Sequence, residues 1–381
     1  RCGRDDTWGD HMSIITPALA GLAATALALA GLGAAPGTAT AAPGRTAAYS
    51  PALVPQVTRT IAHGLDAPWG LAFLPAGGAL IAERDSGEIA RLDGKGRAHV
   101  VDRVPGVVHA GEGGLLGIAV AGDFRSTRWV YAYFTSALDN RIVRMKFRNG
   151  DLGRPHVVLK GIPKGFIHNG GRLVFGPDGM LYAGTGETGN TGLAQNRNSL
   201  GGKILRMTPA GRVPADNPTA GSYVYSRGHR NVQGLAFDGR GRLFAAELGQ
   251  NTWDELNLIK PGRNYGWPIV EGRGADSRFV NPVAVWHPAD ASPSGIAIAH
   301  GTVFLAALRG ERLWRIRIGS NKPDGIPRAR VEDFFVGRFG RLRTVAAAPD
   351  GSLWLVTNNT DGRGNPGSSD DRVLRLRLKN P

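Results

Sequence analysis

IHNGGRLVFGPDGMLYAGTGE, residues 167–187, reads as turn, strand, tight turn, strand, and a glycine-rich loop that ends in a carboxylate. Leu173 to Phe175 is a short apolar run, Pro177-Asp178-Gly179 is turn chemistry, and Met180 to Ala183 is a second apolar run. A hairpin brings its two ends to one edge of a sheet. His168, Asn169 and Arg172 at the entrance then face Glu187 at the exit.

The same unit recurs along the chain. Gly70-Leu-Ala-Phe, Gly117-Ile-Ala-Val, Gly234-Leu-Ala-Phe and Gly295-Ile-Ala-Ile each open a copy, and Val345-Ala-Ala-Ala-Pro-Asp-Gly opens the last. With the 167–187 stretch these make six copies of strand, turn, strand, loop, strand. A repeat of roughly 40 to 50 residues with three or four short strands is the signature of a β-propeller blade. The expected fold is an all-β, six-bladed β-propeller. Residues 57–63, VTRTIAH, form an isolated strand before the first copy, expected to close the ring beside Val373–Leu378. A length of 381 residues fits one closed domain of this kind, and 56 glycines and 24 prolines suit its many tight turns.

Residues 1–42 fall outside this pattern. Pro17 to Ala35 is rich in Ala and Leu, and Ala39-Thr40-Ala41 offers a small-residue cleavage site, so this segment is expected to be a signal peptide with an upstream stretch. Translation is expected to begin at Met12. Glycines and Pro36 interrupt the apolar run, which argues against a stable membrane span. Residues 43–56 read as a linker and 57–381 as the propeller domain, in a secreted or periplasmic protein. The single cysteine, Cys2, precedes the expected cleavage point, which excludes disulfides and thiolate chemistry from the mature chain.

The formal charge of +15 raises the question of nucleic acid. The 38 arginines and eight lysines are spread over the blades, no nucleic-acid motif accompanies them, and several end strands in the pattern Ile-Leu-Arg, so we read most as solvated charge on outer strands. Three stretches carry more chemistry. Histidine is a common general base, so His168 is a candidate with Glu187 to hold its ring; a hydrogen-bonded structural histidine is the other reading. Ser226-Arg-Gly-His-Arg-Asn gathers Arg230 and Asn231, whose forked donors suit a planar carboxylate-bearing ligand. Backbone carbonyls near Gly249 and Gln250, with Asp254 and Glu255, supply the oxygens calcium prefers; an acidic turn is the simpler reading. Glu112 in a glycine-rich loop, Arg309, and the pair Arg341 and Arg343 are further candidates, each equally readable as a solvated charge.

Six pieces, in order, carry a resemblance: Pro68-Trp-Gly-Leu-Ala-Phe, Glu112-Gly-Gly-Leu-Leu-Gly, His168-Asn-Gly-Gly-Arg-Leu, Gly228-His-Arg-Asn-Val-Gln-Gly-Leu-Ala-Phe, Asp254-Glu-Leu-Asn and Asn264-Tyr-Gly-Trp-Pro. The chain resembles the glucose/sorbosone dehydrogenase family, soluble quinoprotein sugar dehydrogenases that use pyrroloquinoline quinone (PQQ) and calcium. The resemblance implies oxidation of an aldose at C1 to the lactone. His168 would be the general base as hydride passes to the quinone, with Glu187 standing where relatives carry an aspartate. It assigns Arg230 and Asn231 to the quinone oxygens, Glu112 to a position where some members have glutamine, and Arg309 to one where some have lysine. Arg341 and Arg343 would grip the cofactor carboxylates. Gly249 and Gln250 would hold the cofactor's calcium through their carbonyls, and Asp254, Glu255 and Tyr265 match a region holding further calcium. Ile167 departs from an acidic residue found in some members. The alternatives are a calcium-dependent propeller lactonase, against which the arginines argue, and a non-catalytic carbohydrate-binding propeller. The sugar, the electron acceptor, and the choice between monomer and homodimer are not legible in the chain.

Overall fold

The computed structural model describes residues 49–93 and 98–381. The expected signal peptide, Cys2 and the start of the expected linker lie outside the described residues. What is described is a ring of six antiparallel sheets. Blade 1 comprises Pro68–Phe73, Ala79–Glu83, Glu88–Leu92 and Ala98–Arg103. Blade 2 runs from Leu115–Val120 through Trp129–Thr135 and Asn140–Arg148 to His156–Ile162, with the short strand Asp151–Leu152 alongside. Blade 3 is Leu173–Phe175, Leu181–Gly184, Lys203–Met207 and Val224–Arg227. Blade 4 is Val232–Phe237, Leu243–Glu247, Asp254–Ile259 and Ala284–Trp286, and blade 5 is Pro293–Ala299, Thr302–Ala307, Arg312–Asn321 and Pro327–Phe334. Blade 6 takes Leu342–Ala347, Leu353–Thr357 and Val373–Lys379 from the end of the chain and its fourth strand, Val54–Ala62, from the beginning.

Each blade begins with its innermost strand, and consecutive innermost strands touch around the ring, with the last meeting the first. Their crowding explains the repeated glycine. A Cβ on Gly117 would collide with the Gly171 carbonyl of blade 3, and one on Gly234 with the Ser294 carbonyl of blade 5. Apolar side chains fill the seams between the blades. Leu80, Leu115 and Val130 form one such cluster, and Phe304, Leu342 and Leu355 another.

Ring closure comes out as expected, with Val54–Ala62 antiparallel to Val373–Lys379 and Val57 opposite Leu376. The strand starts three residues earlier than the repeat indicated, and the end of the expected linker is tied down. Arg315 donates to the carbonyls of Ala52 at 2.7 Å and Leu53 at 2.6 Å, and Ser50 N–H to Ile318 O at 3.0 Å. A buried guanidinium needs acceptors, and this otherwise patternless segment supplies them.

The solvated-arginine reading needs a second correction. Arg206, in Lys203-Ile-Leu-Arg-Met, is 6% exposed, clasped by Asp178 of the Pro-Asp-Gly turn at 3.0 Å and by Asp216 at 2.8 Å. Arg84, Arg172, Arg315, Arg341 and Arg343 are buried too.

Gly117→Ala is expected to lower stability by at least about 1–3 kcal/mol, the range for overpacking, because rigid backbone of the next blade occupies the new methyl's position. Urea unfolding followed by tryptophan fluorescence checks this; a midpoint equal to wild type would show that the innermost strands have slack.

Candidate functional site

Loops that precede the innermost strands share one face of the ring, and the polar residues singled out above meet there. His168 sits in the left-handed region with φ 54°, and its backbone N–H donates to Glu112 Oε2 at 2.9 Å. Its ring Nδ1 is bound to Glu187 Oε1, which leaves Nε2 free for chemistry. Gly186 permits the pairing, since a side chain there would strike the His168 carbonyl. Glu187 is 1% exposed, and its second oxygen has no partner.

The next loop brings Arg230 and Asn231 against this pair. Glu187 N–H donates to Arg230 O at 2.9 Å, and Asn231 Oδ1 accepts from Gly170 N–H at 3.0 Å. Arg230 Nη1 reaches Leu248 O at 3.2 Å, and the guanidinium lies 5.5 Å from the Trp267 ring centre. Burial pulls the Arg230 pKa down, opposed by Glu187, Glu271, Glu112 and Asp254. Four donors at this face are buried without a partner: Arg230 Nε, Asn231 Nδ2, Trp267 Nε1 and Arg343 Nε. Leaving buried donors unpaired costs about 1–3 kcal/mol each.

Opposite stands an arginine wall, so the sixth-blade arginines are not solvated. Arg341 donates to Asp361 Oδ2 at 2.9 Å, and Arg343 donates to Gln233 Oε1 at 2.8 Å with Asp361 at 3.5 Å. Arg172 and Arg343 both lie over Trp69, at 4.2 and 5.7 Å from its ring centre. Burial pushes Arg343 down to about 9 and, with repulsion from Arg343, Arg172 to about 9, so both stay charged at neutral pH. Burial raises Asp361, but Arg343 and Arg341 outweigh it and hold the carboxyl below its usual range. Trp69, Glu112, Gln233, Arg341 and Arg343 line one cavity. Arg363 closes on Glu112 at 2.9 Å across its mouth. Arg309 is exposed beside Leu308, which lines the cavity; the structure does not draw Arg309 into the buried cluster.

The acidic loop is more ordered than an acidic turn. Gly249 N–H donates to Asp254 Oδ1 at 2.9 Å, and Asp254 Oδ2 accepts from Ser292 N–H at 2.7 Å. Burial pushes Asp254 up to about 6. Glu271 Oε1 accepts four consecutive N–H groups, from Gln250 to Trp253, at 2.8 to 3.2 Å. Gly249, Glu255 and Tyr265 line a narrow cavity with Glu247 and Glu271, and Gln250 and Asp254 stand outside it. The Tyr265 hydroxyl is spent on Leu258 O at 2.8 Å, and its ring stacks on His229 at 4.7 Å, so it offers no side-chain ligand. Burial raises Glu255 well above its usual range and Glu247 to about 7; Asn257 Nδ2 bridges the two carboxyls. Among the described residues no three His, Cys, Asp or Glu side chains are grouped to hold a metal. Any cation at Gly249 and Gln250 would rely on main-chain oxygens.

The structure thus brings together His168, Glu187, Glu112, Arg230, Asn231, Arg341 and Arg343. Sequence reasoning missed Gln233, Glu271, Asp361, Arg363 and also Arg84, which lines the same cavity as Arg341 and Arg343. Gln233 lay inside a quoted motif, whereas Asp361 and Arg363 sit in Asn358-Asn-Thr-Asp-Gly-Arg, which carries turn residues and nothing that marks a site.

The chain is similar along most of its length to known proteins. Residues 65–369 match the family model described as Glucose / Sorbosone dehydrogenase. The aldose sugar dehydrogenase of Streptomyces coelicolor, solved in its PQQ-bound form, is 58% identical, with a TM-score of 0.83 over 87% of this chain and 100% of that one. Aldose sugar dehydrogenase YliI of Escherichia coli is 30% identical over 78% of this chain and 89% of its own length. Quinoprotein glucose dehydrogenase B of Acinetobacter calcoaceticus is 32% identical over 64% of this chain and 59% of its own.

Asp361→Ala is expected to destabilise the fold by about 3–5 kcal/mol, because Arg341 and Arg343 lose their buried counterion. Denaturant titration checks it, and a loss under about 1 kcal/mol would contradict the buried-ion account.

Proposed function

The chain belongs to the glucose/sorbosone dehydrogenase family, and from that premise we propose that it oxidises aldose sugars at C1 to the lactone with PQQ and calcium. The observation that carries the reading is the set of unpartnered donors, Arg230 Nε, Asn231 Nδ2, Trp267 Nε1 and Arg343 Nε, on the face of the ring that holds the His168–Glu187 pair. A planar quinone bearing three carboxylates fits such a donor set, because each orphaned N–H gains the acceptor it lacks. Arg341 and Arg343 would hold its carboxylates, and Arg230 and Asn231 its quinone oxygens. Calcium fits as well. The N–H groups of residues 249–253 are all turned toward carboxylates, and the carbonyls of Gly249 and Gln250 accept no hydrogen bond among the described residues. Two neutral oxygens on a hard-ligand loop are a partial coordination shell of the kind calcium completes with ligand oxygens and water.

When bound, PQQ supplies the two-electron acceptor, and calcium polarises its reactive carbonyl. The protein's part is proton management and placement. Glu187 holds His168 through Nδ1, so the imidazole accepts at Nε2 the proton of the sugar's anomeric hydroxyl. Removal of that proton would let C1 give up its hydrogen as hydride to the bound acceptor, the C1–O bond becoming the lactone carbonyl. Glu112 fixes the His168 main chain, and Arg363 braces Glu112 from blade 6. The Ala- and Leu-rich N-terminal stretch is consistent with an exported enzyme.

The test is dye-linked turnover of a panel of aldoses by purified protein given PQQ and calcium. Activity is expected to require both additions. His168→Ala is expected to lower kcat by about 10²–10⁴-fold, the usual worth of a general base, with PQQ binding retained. Absence of PQQ binding would sink the reading and bring forward a propeller hydrolase or a sugar-binding module.

A further inference from the structure

Five consecutive backbone N–H groups, from Gly249 to Trp253, each donate to a carboxylate. Asp254 takes the first, at 2.9 Å, and one oxygen of Glu271 takes the other four, at 2.8, 3.2, 3.0 and 3.0 Å. Successive N–H groups aimed at one point form an anion nest, and here the chain fills the nest with its own side chain. The peptide unit is planar and trans, so each carbonyl points opposite to the N–H of the residue that follows it. With the N–H groups of Gln250 and Asn251 drawn onto Glu271, the carbonyls of Gly249 and Gln250 must project to the far side of the loop. The Leu248 carbonyl, set in the same way by the Gly249 N–H, accepts from Arg230 at 3.2 Å, which shows that the far side faces the site.

Glu271 itself is well fixed. It follows the Trp267-Pro268 corner, whose Trp267 carbonyl accepts from Gln195 at 2.6 Å, and the adjacent Gly272 N–H donates to buried Glu255 at 2.6 Å. The loop cannot relax easily around a different anchor. A side chain on Gly249 would strike the Trp253 carbonyl, so the turn is closed about as tightly as backbone allows. Glu271 lies 20 residues from the middle of the loop it organises, in Val270-Glu-Gly-Arg-Gly; its hydrogen bonds go to these amides, and its charge also reaches Arg230.

We infer that Glu271 is the positioning residue of the cation site: by gathering the amides of residues 250–253 it turns the carbonyls of Gly249 and Gln250 outward as a preformed oxygen pair for a divalent cation. It touches neither the ion nor the sugar. The inference rests on the calcium reading above and adds the device that orients the ligands. Groups that orient metal ligands are typically worth about 10–100-fold in metal affinity.

The experiment is isothermal titration of the PQQ-free protein with calcium chloride, for wild type, Glu271→Gln and Glu271→Leu, alongside amide hydrogen exchange at residues 250–253 in the calcium-free proteins. Glu271→Leu is expected to weaken calcium binding about 10–100-fold and to speed exchange at those four amides. Glu271→Gln, which keeps an acceptor oxygen but loses the charge, is expected to fall between. Equal calcium affinity in wild type and Glu271→Leu would overturn the inference, including the case in which exchange speeds up, because Glu271 would then shape a loop that does not hold the ion. No calcium binding by wild type would instead remove the calcium reading and the inference with it. Unchanged exchange in Glu271→Leu would show that the amides are held by something else, which also overturns it.

Discussion

The crowding of innermost strands at the ring axis is the constraint on which the rest depends. Backbone of one blade lies where a side chain of the previous blade would be, at Gly117 against blade 3 and Gly234 against blade 5. Because the strands are packed to backbone contact, their starting ends converge, and every loop that leads into an innermost strand is delivered to one small region. His168 enters blade 3, Asn231 enters blade 4, and Arg341 enters blade 6 in this way. A general base, an amide and an arginine wall from distant parts of the chain are thus brought within one site by a packing rule that has no chemistry in it.

The electrostatics of that region favour an anion. Arg172 and Arg343 flank Trp69, and Asp361 serves both Arg341 and Arg343. One carboxylate for two guanidiniums leaves donor capacity over, visible as the unpartnered Nε of Arg343 and, nearby, of Arg230. Buried unpaired donors oppose folding. The apolar seams between blades, filled by residues such as Leu80, Phe304 and Leu355, offset that cost elsewhere in the ring. On the acidic side the logic is reversed: Asp254 and Glu271 collect N–H groups, which turns the carbonyls of Gly249 and Gln250 away from them. The arginine wall and the acidic loop are linked through Arg230, whose charge feels Glu187, Glu271 and Asp254 together.

Blade repeats were legible because Pro-Asp-Gly turns between apolar runs are local signals, and the His168–Glu187 pair was legible because one hairpin joins the two residues. Contacts set by ring closure were not. Glu112 meets Arg363 across 251 positions, and although Glu112 stands in a glycine-rich motif, nothing local marks Arg363 as its partner. Glu271 sits in an irregular connection, and its role exists only once the 249–253 loop folds over it. Arg206 looked like solvated charge because its partners, Asp178 in an earlier turn and Asp216 in the following connection, lie 28 and 10 residues away. Residues 50–53 looked like linker because what holds them is long-range: Thr302, Arg315 and Arg317 donate to their carbonyls, and the Ser50 amide donates to Ile318 O. Pattern reveals what neighbours in sequence do, whereas closure decides which charges end up buried together.

The measurement that bears most directly on this account is a crystal structure of the protein soaked with PQQ and calcium. The account predicts the quinone at the axis, within hydrogen-bonding distance of Arg230 Nε, Asn231 Nδ2, Trp267 Nε1 and Arg343 Nε, with His168 Nε2 open toward it. A quinone bound elsewhere on the ring, with those four donors still unpartnered, would contradict it.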